Sequence, residues 1–133
     1  MSSPRAGEGI ALVLDQPLSF WGGVEVSDGR IIDRHHPQHG ACVAGRVLVM
    51  PSGRGSSSSS SVLAQLSRDG VGPAAIVLLE ADPIVALGAL VARELYAEAP
   101  PVVVLGADDY RSIRDGEEVQ VVADGDRAIV RRI

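Results

Sequence analysis

Short aliphatic runs, set apart by polar, glycine-rich turns, give this chain its rhythm. Residues 9–14 (Gly-Ile-Ala-Leu-Val-Leu), 45–50 (Gly-Arg-Val-Leu-Val-Met), 74–79 (Ala-Ala-Ile-Val-Leu-Leu) and 102–105 (Val-Val-Val-Leu) are apolar almost throughout. Strands that are covered on both faces read this way. Toward the C-terminus the pattern changes to alternation: residues 118–122 and 128–130 flank Asp124-Gly125-Asp126 and predict a terminal hairpin. Between the runs the period becomes helical. Val62, Leu63 and Leu66 share one face of a helix over about 57–69, with Gly70 placed to end it. Asp82 and Pro83 suit the N-cap and first position of a second helix that reaches about Tyr96. Ile84, Leu87, Val91 and Leu95 fall on one stripe of that helix, and Gly88 in its middle costs helix propensity, which points to close packing against another element. Asp108 to Ile113 predicts a further short helix.

Strands and helices therefore alternate in the centre, with hairpin-like strands at both ends and no internal repeat. The pattern predicts a mixed α/β domain in which a barrel-like or sandwich portion meets helices. A chain of 133 residues and 13.8 kDa fits one such domain. We expect it over residues 9–133, preceded by a flexible N-terminus over 1–8.

Composition narrows the picture. Hydrophobic residues make up 46% and aromatics only 3%, so the core must be built from Val, Leu, Ile and Ala, with room for an apolar surface meant for a partner. The net charge of −5 excludes the clustered positive surface that nucleic acid requires. No apolar run approaches the ~18 residues of a membrane-spanning helix, and the first residues lack the apolar centre of a signal peptide. The expectation is a cytoplasmic protein without a membrane partner. The single cysteine, Cys42, excludes an internal disulfide and a self-contained iron–sulfur or Cys-rich zinc site.

Candidate chemistry centres on Pro51-Ser52-Gly53-Arg54-Gly55 and the six serines that follow, Ser56 to Ser61. By composition this is a flexible spacer. Its flanks, a buried strand before and a helix after, make it a strand–loop–helix corner whose backbone N–H groups can be aimed at an anion. The corner does not match the familiar loops. A phosphate-binding P-loop needs a Lys, and the chain has none. A dinucleotide fingerprint needs Gly or Ala where Ser58 stands. A hydrolase elbow needs glycines two residues either side of the serine, where Ser56 has Arg54 and Ser58. Phe20 and Trp21, the only Phe and Trp, lie beside Gly22 and Gly23. They read either as a packing anchor at a tight turn or as a loop lining a cleft. His35, His36 and His39 invite a metal site, but Pro37 opposes a shared helical face and no carboxylate or Cys completes a known spacing, which favours a solvated loop.

Three segments together, Leu18-Ser19-Phe20-Trp21-Gly22-Gly23, the Pro51–Ser61 loop and Ile84-Val85-Ala86-Leu87-Gly88-Ala89, resemble the aconitase X swivel domain or small subunit of the aconitase superfamily. The resemblance spans about residues 9 to 132. It implies a swivelling β/β/α fold, a barrel-like sheet flanked by helices. It also implies a two-subunit dehydratase in which this chain meets an aconitase X-type large subunit that carries an iron–sulfur cluster, with no cofactor or metal on this chain. By the same resemblance Ser56 is the base; the candidate substrate contacts are Arg54, Gly55, Ser57, Ser58, Ser19, Gly22 and Gly23. Two substrates are implied: cis-3-hydroxy-L-proline, which the Arg-Gly-Ser-Ser loop favours, or mevalonate 5-phosphate. Two departures stand out. The arginine that grips substrate two positions after the serine in aconitase is Ser58 here, and a position often glycine in the family is Ser59. Ser59 is tolerable there only if its backbone needs no positive φ.

The chemistry agrees with the resemblance independently. A serine hydroxyl is too weak a base to take a carbon-bound proton unless its alkoxide is stabilised, and a helix N-terminus, neighbouring hydroxyls and Arg54 are suitable donors. Loss of hydroxide needs a Lewis acid, a role that a metal cluster fills. The competing reading of Ser56 is a simple helix cap. On that view the chain is a non-catalytic scaffold or binding module of the same fold.

Overall fold

The computed structural model describes residues 5–54, 58–96, 99–124 and 127–133. Its elements are β1 (Arg5–Val13), α1 (Phe20–Gly23), β2 (Val47–Met50), α2 (Ser58–Arg68), β3 (Ala75–Leu78), α3 (Pro83–Tyr96), β4 (Val102–Val104), α4 (Ala107–Ser112), β5 (Glu118–Asp124) and β6 (Arg127–Arg132). One six-stranded sheet runs in the order β4-β3-β2-β1-β5-β6. The aliphatic runs form its parallel part: β1 pairs with β2, β2 with β3 and β3 with β4, all in parallel. The terminal hairpin forms the antiparallel part, β5 lying between β1 and β6. The tip residues Gly125 and Asp126 lie outside the described residues.

Period-two burial explains why both faces read as apolar. Leu12, Leu48, Met50, Ile76 and Leu78 face a core shared with Val62, Leu63 and Leu66 of α2, Val85 of α3, and Leu18, Phe20, Val24, Ile31 and Val43 from the β1–β2 excursion. Ala11, Val47, Val49, Ala75, Val77 and Val103 face the other way and meet Ile113, Val119 and Val121. The sheet thus curls until β5 covers its own concave face, an almost closed barrel with helices outside, as expected. Arg132 helps to fasten the last strand, its Nε 2.9 Å from Glu117 Oε2 and its Nη2 donating to the Ser112 carbonyl.

β1 begins at Arg5, earlier than the expected Gly9, so residues 5–8 are strand rather than flexible tail. Arg5 to Ile10 pair with Ala123 to Glu118, after which Ala11 to Val13 turn to β2. Gly7 and Glu8 hid this strand, because glycine and charge are poor strand signals. Glycine is nevertheless required: a Cβ at Gly7 would collide with the Ala74 carbonyl, and one at Gly9 with that of Gly45. The N-terminal strand is also no hairpin, since its partners are β2 and β5.

The helix ends follow the sequence closely. Gly70 has φ +75, and Val71 N–H bonds to Leu66 O while Gly70 N–H bonds to Ser67 O, the paired pattern of a glycine-terminated helix. Asp82 Oδ1 accepts from Ile84 N–H at 2.9 Å and Val85 N–H at 3.1 Å, capping α3. The orientation of α3 is the surprise. An apolar stripe ordinarily marks the buried face of a helix, yet Leu87 and Leu95 are exposed and Val85, Gly88, Ala89 and Ala92 are buried. Small residues win because α2 lies so close. A Cβ on Gly88 would stand 2.9 Å from Ser60 O and 3.1 Å from Leu63 Cβ.

The Gly88→Val variant should therefore lose about 1–3 kcal/mol of stability through overpacking, read as a lower urea midpoint with an unchanged slope.

Candidate active site

The candidate corner lies where the parallel strands end, the edge at which open α/β sheets usually bind ligands. Because both α2 and α3 follow parallel strands on the same sheet face, their N-termini come together there. Pro51 leaves β2 and its carbonyl accepts from Leu79 N–H at 3.2 Å and Glu80 N–H at 3.0 Å, tying the loop to the end of β3. Gly53 forms a parallel bridge with Leu18, and Arg54 N–H donates to Leu18 O at 3.2 Å. Gly53 has no space for a side chain: a Cβ would stand 2.6 Å from Asp82 Oδ2 and 2.7 Å from Val85 Cγ2. The cap of α3 is thus a wall of the serine corner. Arg54 and Ser58 are exposed at its mouth. Gly55, Ser56 and Ser57 lie outside the described residues.

Ser59, on the first turn of α2, is 3% exposed. Its Oγ accepts from Trp21 N–H at 3.1 Å and lies 3.3 Å from Ser19 Oγ, while Ser19 Oγ donates to Trp21 O at 3.0 Å. The excursion carrying Ser19 and Gly22 is therefore fastened directly to the serine helix, and two motifs distant in sequence form one corner. The Phe20-Trp21 pair divides between its two readings. Phe20 is buried in the core at 1% exposure, whereas Trp21 is 61% exposed. Gly22, at φ +76, makes the turn and has open space on its side-chain side. Gly23 is buried and its carbonyl accepts from Ile32 N–H, so it closes the turn from within.

Sequence reasoning missed Ser59 as a tether and Asp82 as a wall. Asp82 had already signalled a cap, but its approach to Gly53 is a tertiary fact. Ser59 stood out only as a departure from the family's glycine, and nothing in a run of identical residues signalled its contact with the Ser19–Trp21 turn. Its position in α2 also answers the question its presence raised, because a helical backbone needs no positive φ.

The histidine loop is not simply solvated. His36 is buried, its Nδ1 accepting from Gln38 N–H at 3.0 Å and its Nε2 bonding to Gln16 O at 3.2 Å. With Nδ1 as acceptor, Nε2 carries the proton. Gln38 in turn clasps Asp15 through its side-chain amide. His35 and His39 are exposed. Among the described residues no group of three or more His, Cys, Asp or Glu comes together. Cys42, the one thiol, is exposed and directed at Asp28 O. These residues do not fit an iron–sulfur cluster. Among the described residues, no helix is long and apolar enough to cross a membrane.

The fold and this corner define a swivel-type α/β domain that presents a serine loop at the end of a parallel sheet. The model of the aconitase X swivel domain matches residues 1–131, and the chain belongs to that family. It is similar to the phosphomevalonate dehydratase small subunit of Methanothermobacter thermautotrophicus, 42% identical over 89% of this chain and 86% of that one. It is also similar to the cis-3-hydroxy-L-proline dehydratase of Pseudomonas aeruginosa, 48% identical over 76% of this chain but only 17% of that protein. Among solved structures, the holo-form of Thermococcus kodakaraensis aconitase X superposes with a TM-score of 0.81 at 33% identity, covering 96% of this chain and 91% of that one.

Asp82→Ala should cost about 0.5–2 kcal/mol through loss of the cap. Gly53→Ala should displace the same carboxylate, so chemical denaturation should show less than additive loss in the double variant.

Proposed function

We propose that this chain is the small, swivel subunit of an aconitase X-type dehydratase and supplies the serine base for removing water from a 3-hydroxy acid. The single observation that carries the reading is the fastening of Ser19 and Trp21 to Ser59. It joins two of the three segments of the family resemblance into one corner at the start of α2.

In this reading Ser56 takes the proton from the carbon that bears the carboxylate. The electron pair left behind forms the double bond, and the hydroxyl on the neighbouring carbon leaves with its bonding pair. Donors of the α2 N-terminus and neighbouring serines favour the alkoxide. Exposed Arg54 is the cation available to a substrate carboxylate. Ser19 and Gly22 are assigned as further substrate contacts. The iron–sulfur cluster implied by the resemblance is assigned to the large subunit, since the residues of this chain do not fit one. The cytoplasm is the proposed compartment.

We take cis-3-hydroxy-L-proline as the substrate, because Arg54 is the only cation close in sequence to the loop and a phosphate would call for more. Mevalonate 5-phosphate is the second reading, favoured by the similarity to a separate small subunit along 89% of this chain.

In the complex with its large subunit, Ser56→Ala should lower kcat by roughly 10²–10⁴-fold while the two chains still co-elute. Near-normal turnover by the variant would remove Ser56 as the base and leave the chain a scaffold.

A further inference from the structure

We propose that the Ser59 hydroxyl is a clasp that fixes the Ser19–Gly22 turn to the serine corner, making Ser59 a positioning residue for the substrate contacts offered by that turn. The inference rests on reading the corner as half of a dehydratase site. Its physical basis is a closed ring of three hydrogen bonds. Trp21 N–H donates to Ser59 Oγ at 3.1 Å. Ser19 Oγ donates its one proton to Trp21 O at 3.0 Å. The remaining contact, 3.3 Å between the two hydroxyls, must then be donated by Ser59. Each proton in the ring has one destination, and such directed networks hold one geometry.

The far end of the turn is closed separately, Ile32 N–H donating to Gly23 O at 2.9 Å. The turn departs from helical backbone at Trp21 (φ −75, ψ 114) and at Gly22 (φ 76, ψ −10), so no helical ladder sustains it. The neighbouring ties, the Leu18–Gly53 bridge and Arg54 N–H to Leu18 O, act just before it. Phe20 anchors its inner side in the core, but the backbone of Trp21 meets α2 through Ser59. Ser59 itself is buried, only 3% exposed, whereas the Ser19–Trp21 bond of the ring is exposed and the Trp21 side chain is 61% exposed. A buried hydroxyl thus holds an outward-facing turn against the first turn of α2.

Ser59→Ala removes one oxygen at a helical position that suits alanine. Hydrogen exchange on the isolated chain should show the Trp21 amide exchanging about ten-fold faster, as expected for one lost hydrogen bond. Amides of β2 and β3 should keep their protection, which reads whether the fold is intact. In the two-subunit complex the KM for the hydroxy acid should rise about five-fold, with kcat changed less than about two-fold. Unchanged Trp21 exchange in Ser59→Ala would overturn the clasp, and faster exchange with unchanged KM would overturn the positioning role. A wild-type complex inactive on both hydroxy acids would instead overturn the dehydratase reading, while the amide measurement would still decide the clasp.

Discussion

The structure depends on how closely α2 and α3 approach over one face of the sheet. Gly88 makes that approach possible by leaving its side-chain space to Ser60 O and Leu63. Because both helices follow parallel strands, their close packing also brings two helix N-termini together at one sheet edge. The cap of α3 then reaches Gly53, and the first turn of α2 reaches Ser19 and Trp21. The corner is thus built from packing first and hydrogen bonds second. The same constraint turns the larger apolar side chains of α3 outward, leaving Leu87, Leu90 and Leu95 substantially exposed.

Much of the fold was legible because the parallel strands are buried on both faces. Their aliphatic runs stand out against polar turns, and Gly70 and Asp82 mark helix ends through strictly local chemistry. Legibility failed wherever a long-range contact decided the outcome. Gly7 and Glu8 look like a tail until β5 and Ala74 are placed beside them. The stripe of Ile84, Leu87, Val91 and Leu95 looks like a core face until a second helix demands small residues instead. His36 looks solvated until Gln16 and Gln38 close around its ring.

The candidate site follows the same division. The strand–loop–helix corner was readable from its flanks, and the resemblance of three separated segments to one family made it specific. The contact between those segments was not readable. Six consecutive serines offer no way to read from pattern that Ser59 meets Ser19 and Trp21. Phe20 and Trp21 likewise share a composition signal but part ways in space, one into the core and one to the surface.

Under the proposed function the serine corner, with Arg54 and Ser58 exposed, is one half of a reaction centre whose other half is on the large subunit. The most direct measurement is dehydration of cis-3-hydroxy-L-proline and of mevalonate 5-phosphate by this chain, by its large subunit and by the two combined. A site shared between two subunits predicts turnover of one of these acids by the mixture and none by either chain alone. Full activity of the large subunit without this chain would contradict it.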